Sequence, residues 1–327
     1  MTFSREIHKL YRRIFHYRPF YNFTDEIKSD YPEIYNAYGE RLKIFFLADR
    51  YFADDPYKQH KKPKYILWDR YNYALKTHFY SEREAFRTTG QPDKRFAMLI
   101  ESKSVQPENY SQFIRHKSYF ENEFDSVFSY DDEILGTIGN AKFVPFCAYY
   151  WYGMKDPSVI TPDNYMRKDK NISILASHKA KTPLHVIRRN MAMHCRTTGI
   201  ADAFGTFDGN MNAYVEPEIT LKRYRYSIII ENDITPYFFT EKITNCFISQ
   251  TIPVYLGASR ISEFFNPDGI ITLTVNDADN IDDVLRQCTP EEYMRRLPAI
   301  LDNFERVQEY ENPFDYMYVH HLRKYFG

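Results

Sequence analysis

The sequence predicts an α/β protein of two doubly wound domains, each built on a largely parallel sheet. Three observations carry that expectation. Apolar runs of strand length alternate with longer polar or amphipathic stretches through both halves of the chain, the pattern of repeated β–α–β units. The stretch MKDPSVITPDNYMRKDKN, residues 154–171, is charged, carries two prolines and separates the halves, as a domain boundary does. The 327 residues suffice for two ordinary cores. The expected division is 1–155, 156–305 and a helical tail over 306–327.

The opening MTFSREIHKLYRRIFHYRPF puts Ile7, Leu10, Tyr11, Ile14 and Phe15 on one helical face, with Arg5, Lys9, Arg12 and Arg13 mostly opposite. Such a basic amphipathic helix docks on its own domain or lies on a membrane surface, and both readings stand. Strands are expected at LKIFFLA (42–48), YILW (65–68), FAMLIES (96–102), DSVFSY (125–130) and AKFVPF (141–146). The loop DRYFADDPYKQHKKP (49–63) mixes aromatic, acidic and basic residues. It suits a sugar acceptor as well as it suits a solvated variable loop.

In the second half ISILAS (172–177) is an expected strand, and TPLHVIRRNMAMHCR (182–196) a helix with Pro183 in its first turn. RYSIIIEN (225–232) reads as a buried strand, followed by a helix from Thr240 and the strand IPVYLG (252–257). GIITLTV (269–275) adds a strand, and NIDDVLRQC (280–288) and PEEYMRRLPAILDNFERVQEY (290–310) read as helices. In doubly wound sheets ligands bind beyond the C-terminal ends of strands, which directs attention to the residues after SIII.

Composition narrows the function classes. Lys and Arg number 43 against 44 Asp and Glu, a net charge of -1, so no global field favours nucleic acid. Cys147, Cys195, Cys246 and Cys288 lie far apart, without the close pairs of metal or redox motifs, and read as reduced thiols of a cytosolic compartment. No apolar run approaches the roughly 20 residues that span a bilayer. The protein is therefore expected to be cytoplasmic, with peripheral contact at the inner face of the membrane if the basic opening helix lies there.

Thr240 is a plausible N-cap that sets Glu241 and Lys242 in the first helical turn. Glu241 suits the partial positive charge of that terminus, and Lys242 does not. Helix dipole, backbone amides and ammonium together would make a phosphate site. Alternatively Lys242 is a surface residue paired with Glu231 or Glu241. The residues alone leave the two readings even.

The segment YRYSIIIENDITPYFFTEKITNCFISQTIPVYLG resembles the donor-binding signature of the α-1,3/4-fucosyltransferases, glycosyltransferase family 10. Glu231, Asn232, Thr240, Glu241, Lys242, Pro253, Val254 and Gly257 fall on that pattern without a gap. It departs at Asp233, where the family has Ser, and at Phe238, where it has Tyr, although Tyr237 is adjacent. ILASHKAKTPLHVIRRN is similar to the family segment whose arginine approaches the donor diphosphate; Arg189 fits that place best, with Arg188 an acceptable shift. LIESKS resembles the family strand ending in Glu–Ser or Glu–Asn.

The resemblance implies a soluble, bacterial-type member with the GT-B fold, two Rossmann-like domains facing a central cleft, the first binding acceptor and the second the nucleotide sugar. It implies an inverting transfer of L-fucose from GDP-β-L-fucose to a glycan hydroxyl, such as O3 of GlcNAc, in surface polysaccharide or lipopolysaccharide biosynthesis. Glu101 is the implied base. Arg189 and Lys242 clamp the leaving group, and Glu231, Asn232, Tyr237, Phe238, Thr240 and Glu241 complete the donor site. Transfer of another nucleotide-linked sugar, and a non-catalytic binding homologue, are the alternatives. Asp277–Ala278–Asp279 has the spacing of a metal-dependent donor motif, but Asp279 or Asn280 as a helix N-cap is simpler. No cofactor or metal is expected to be required.

Overall fold

The computed structural model describes residues 41–48, 63–69 and 72–326, with Ile7 alone ahead of them. The basic opening helix and loop 49–62 lie outside the described residues. The chain forms two units, Met1–Phe146 with Asn312–Gly327, and Cys147–Glu311. The boundary thus falls earlier than residue 155. Its cause is local: the Trp151 and Tyr152 amides donate to Asn245 Oδ1 at 2.7 and 2.8 Å, tying 147–155 to the second unit. The expected tail is divided too, because Phe314, Met317 and Leu322 are buried in the first unit's core.

The first unit is a six-stranded, all-parallel sheet in the order β2-β1-β3-β4-β5-β6. The strands are β1 Leu42–Leu47, β2 Ile66–Asp69, β3 Thr77–Ser81, β4 Lys94–Met98, β5 Ser126–Ser129 and β6 Ala141–Phe143. Ile44, Phe46, Phe79, Phe96, Met98 and Phe128 fill one face. Sequence reasoning misses β3, though it lies between β1 and β4. All five of its residues are buried, yet Thr77, His78 and Ser81 are polar and break any apolar signature. Their partners exist only in the folded sheet: His78 Nδ1 bonds Tyr80 Oη at 2.8 Å and Nε2 bonds the Tyr73 carbonyl at 3.0 Å.

The second unit is a five-stranded parallel sheet, β11-β10-β9-β7-β8. Its strands are β7 Lys170–Leu175, β8 Asp202–Phe204, β9 Tyr224–Ile230, β10 Ile252–Leu256 and β11 Ile271–Thr272. All pair in parallel, with Ile228 opposite Val254 and Ile174. The helix Pro183–Thr198 forms as expected: the Thr182 side chain accepts the His185 amide, and Gly199 at φ +72° closes the last turn. The expected strand GIITLTV contributes only Ile271–Thr272, because Thr274 and Asp277 form a capping box that turns the chain. The expected helix over 290–310 breaks into Pro290–Arg295 and Leu297–Val307, where Pro298 starts a new first turn.

Candidate active site

β9 ends at Ile230 and delivers Glu231 to the N-terminus of the helix Glu241–Ile248. Glu231 is fully buried. Its Oε1 accepts the Thr240 amide at 2.9 Å and its Oε2 the Thr240 hydroxyl at 2.7 Å. Thr240 is the N-cap, its hydroxyl accepting the Lys242 amide at 3.3 Å. The Lys242 ammonium lies 3.0 Å from Thr240 Oγ1, 3.0 Å from Glu241 Oε1 and 3.5 Å from Glu231 Oε2. Burial opposes that ammonium, but Glu241 and Glu231 outweigh it and raise its pKa above the ordinary value. Burial pushes the Glu231 carboxyl upward, against the pull of Lys242.

Free first-turn amides, expected from the helix terminus, are scarce here. Those of Thr240, Lys242, Ile243 and Thr244 are already bonded within the protein. An internal carboxylate, Glu231, occupies the place where the dipole favours an anion. The pairing of Lys242 with Glu231 and Glu241 is therefore what the structure shows.

One expected residue is not in this cluster. Arg189 is exposed, and its Nε donates to the Phe207 carbonyl at 2.9 Å. Arg188 takes the inner position, only 6% exposed, donating to the Ile230 carbonyl at 2.6 Å and to Asn232 Oδ1 at 3.3 Å. The reason is helical phase: Leu184, Arg188, Met191 and Cys195 share the buried face, while Arg189 and Asn190 face outward. Asn232 is thereby held beside Glu231. Arg188 and Lys242 balance Glu231 and Glu241, so the cluster is internally neutral.

His185, not foreseen, sits one turn before Arg188 and is buried, its Nδ1 2.7 Å from Thr182 Oγ1. Burial, then Arg188 and Lys242, lower its pKa to about 4, so it is neutral at ordinary pH. The Thr182–x–x–His185 spacing of a helix cap was the available signal. Tyr237 and Phe238 differ in setting. The Tyr237 hydroxyl bonds Arg260, whose guanidinium lies 5.2 Å from the ring, whereas Phe238 is buried.

Glu101 belongs to the first unit, just beyond β4. It is part-exposed, and its Oε1 accepts the Ser102 amide at 2.7 Å. Its carbonyl accepts the Tyr110 hydroxyl at 2.6 Å. Asp277 holds the Thr274 amide and hydroxyl at 2.6 and 2.7 Å. Among the described residues no group of three His, Cys, Asp or Glu is placed to hold a metal ion.

Two parallel-sheet units are the architecture of the GT-B fold, and a polar cluster beyond the end of a central strand lies where doubly wound sheets bind ligands. Comparison with known proteins agrees. The structure resembles a crystal structure of an α1,3-fucosyltransferase with GDP-fucose, at 17% identity and TM-score 0.50, over 83% of this chain and 89% of that one. It also resembles an Anabaena protein solved with UDP and glucose, at 11% identity and TM-score 0.52, over 87% and 100%. These likenesses establish the fold. Residues 165–295, which lie within the second unit, match the model of the glycosyltransferase family 10 (fucosyltransferase) C-terminal domain. An α-(1,3)-fucosyltransferase of Helicobacter pylori is 32% identical over 65 residues, 20% of this chain and 13% of the relative. A fucosyltransferase-like protein of Arabidopsis thaliana is 27% identical over 114 residues, 35% of this chain and 21% of the relative. The aligned stretches thus span less than a quarter of those relatives' lengths.

Proposed function

We propose that this chain transfers L-fucose from GDP-β-L-fucose to a hydroxyl of a glycan acceptor, with inversion at the anomeric carbon. The observation that carries the reading is the Glu231–Lys242 cluster at the end of β9, inside the stretch that matches the family 10 domain. Lys242 binds the diphosphate, exchanging Glu241 for phosphate oxygens, and Arg188 holds Asn232 toward the nucleotide sugar while balancing Glu231. Glu101 takes the acceptor proton as the acceptor oxygen bonds the anomeric carbon and the bond to GDP breaks. The lysine and arginine stabilise the departing diphosphate without a metal. Among the described residues no helix is long and apolar enough to cross a membrane; we place the enzyme in the cytoplasm, on surface polysaccharide or lipopolysaccharide, touching the membrane through its basic opening segment.

A second donor is favoured by one observation. The position that carries Tyr in the family is here Phe238, whose ring is buried and offers no hydroxyl, and Asp233 stands for Ser. Another GDP-linked deoxysugar is the corresponding substrate. Thermal stabilisation by a panel of nucleotide sugars, followed by GDP release with an N-acetylglucosamine-containing acceptor, decides between them. GDP-fucose binding and turnover support the first reading. Turnover of a different sugar alone supports the second, and binding without turnover of any donor identifies a carbohydrate- or nucleotide-binding homologue. Persistence of turnover in excess chelator is expected; its loss, with restoration by Mn²⁺ or Mg²⁺, would overturn the metal-free mechanism.

A further inference from the structure

Glu82 follows β3 with φ +51°, in the left-handed region that L residues other than Asn and Asp rarely enter. Its side chain is 4% exposed. Both features are unfavourable by themselves, and such features persist where the surroundings impose them. Three donors converge on the carboxylate. Oε1 accepts the Ile100 amide at 2.7 Å and the Glu101 amide at 3.1 Å. Oε2 accepts Asn109 Nδ2 at 2.9 Å, from a buried asparagine in the first turn of the helix Pro107–Arg115. On the other side of Glu101, its carbonyl is held by Tyr110 Oη at 2.6 Å and Tyr130 Oη at 3.4 Å. The amide and the carbonyl of Glu101 are both fixed, one by Glu82 and the other by two tyrosines.

We propose that Glu82 is a positioning residue for Glu101. It fixes the backbone from which the Glu101 side chain projects, so that the carboxylate meets an acceptor hydroxyl in one geometry. This rests on the reading of Glu101 as the base. An acid is required because a carboxyl group, unlike an amide, presents an acceptor oxygen on each of its two branches. A glutamine there would keep Oε1 for the two amides and turn an NH₂ group against Asn109 Nδ2. Asn109 cannot turn its amide over without losing its second bond, to Gln106 Oε1. Loss of a buried acceptor should therefore loosen the Ile100–Glu101 turn without emptying it. Glu101 and Tyr110 are the titratable groups facing Glu82.

The test compares Glu82→Gln, Glu82→Gln/Asn109→Asp and Glu101→Gln, measuring transfer kcat, donor KM and GDP affinity. Glu82→Gln is expected to lower kcat at least tenfold while donor KM and GDP affinity stay within twofold. The double variant gives the new NH₂ group an acceptor but gives up the bond to Gln106 Oε1, and it is expected to recover part of that loss. A role confined to folding would lower GDP affinity along with kcat and would show no rescue of kcat by the double variant; that outcome overturns the proposal. So does a Glu82→Gln enzyme with wild-type kcat beside an inactive Glu101→Gln enzyme. Wild-type transfer by Glu101→Gln would instead refute the base assignment, and the proposal would fall with it. If Glu82→Gln does not fold, Asn109→Ala removes a single anchor; a threefold or greater fall in kcat at unchanged GDP affinity is expected, and an unchanged kcat overturns the proposal.

Discussion

Arg188 and Arg189 are adjacent, equally charged and differently used. Arg188 spends its donors on the Ile230 carbonyl and Asn232, beside two carboxylates. Truncating it leaves the buried Ile230 carbonyl without its donor and removes one of the two cations, with Lys242, beside Glu231, a loss of about 2–4 kcal/mol. Arg188→Ala should lower chemical stability by that order and weaken GDP binding at least tenfold. Arg189→Ala, which gives up one bond on an exposed helix face, should bind GDP within twofold of wild type. Isothermal titration with GDP on both variants checks this, and a reversed order would return Arg189 to the site. Lys242→Ala should also weaken GDP binding at least tenfold; unchanged affinity would show that its partners are Glu231 and Glu241 alone.

The element that positions this cluster is the turn from β10. Gly257 follows β10, and an added Cβ would lie 2.4 Å from Tyr255 Oη and 2.6 Å from Glu231 Cγ. Tyr255 Oη is pinned by the Ala258 amide at 2.9 Å, so Glu231 must move and with it the cap on the Glu241 helix. Gly257→Ala is expected to cost about 1–3 kcal/mol, as overpacking of a filled site does, and to weaken GDP binding, whereas Gly136→Ala, which meets nothing within 4 Å, should not. Urea unfolding and GDP titration of the pair test this. What was legible in sequence follows from the same physics. The strand SIII, the cap at Thr240 and the charged pair behind it are local patterns, so Glu231 to Lys242 could be read directly. The strand β3 could not, because His78, Thr77 and Ser81 look exposed until their partners are known. Arg188 was left second to Arg189 by a one-residue ambiguity in helical phase. Glu82 was hidden because a buried acid and a solvated one have the same letter. The assignment of Glu101 as the base comes from the resemblance alone, its own contacts being ordinary.

At the scale of the whole molecule the net charge of -1 leaves little long-range electrostatic contribution to stability, and a few buried groups set its pH dependence. In the first unit two such groups act in opposite directions. Burial, reinforced by Arg95, lowers the His78 imidazole to about 3. The folded state therefore excludes a proton that the unfolded chain takes up near 6.5, and stability is lost as pH falls below 6.5. Burial raises the Glu82 carboxyl to about 7. The folded state then holds a proton that the unfolded chain has released above 4.5, so this contribution is full below 4.5 and lost as pH rises to 7. Each slope is about 1.4 kcal/mol per pH unit, and between 4.5 and 6.5 the two cancel. Glu82→Gln removes one of them. Relative to wild type, the variant should lose about 3 kcal/mol more stability at pH 4.5 than at pH 7.5, while titrations common to both proteins drop out of the difference. Urea unfolding at pH 4.5, 6.5 and 7.5, followed by hydrogen-exchange protection of the β3 and β4 amides, measures that difference in the first unit. A constant offset between the two proteins at all three values would show that Glu82 does not take up its proton in this range.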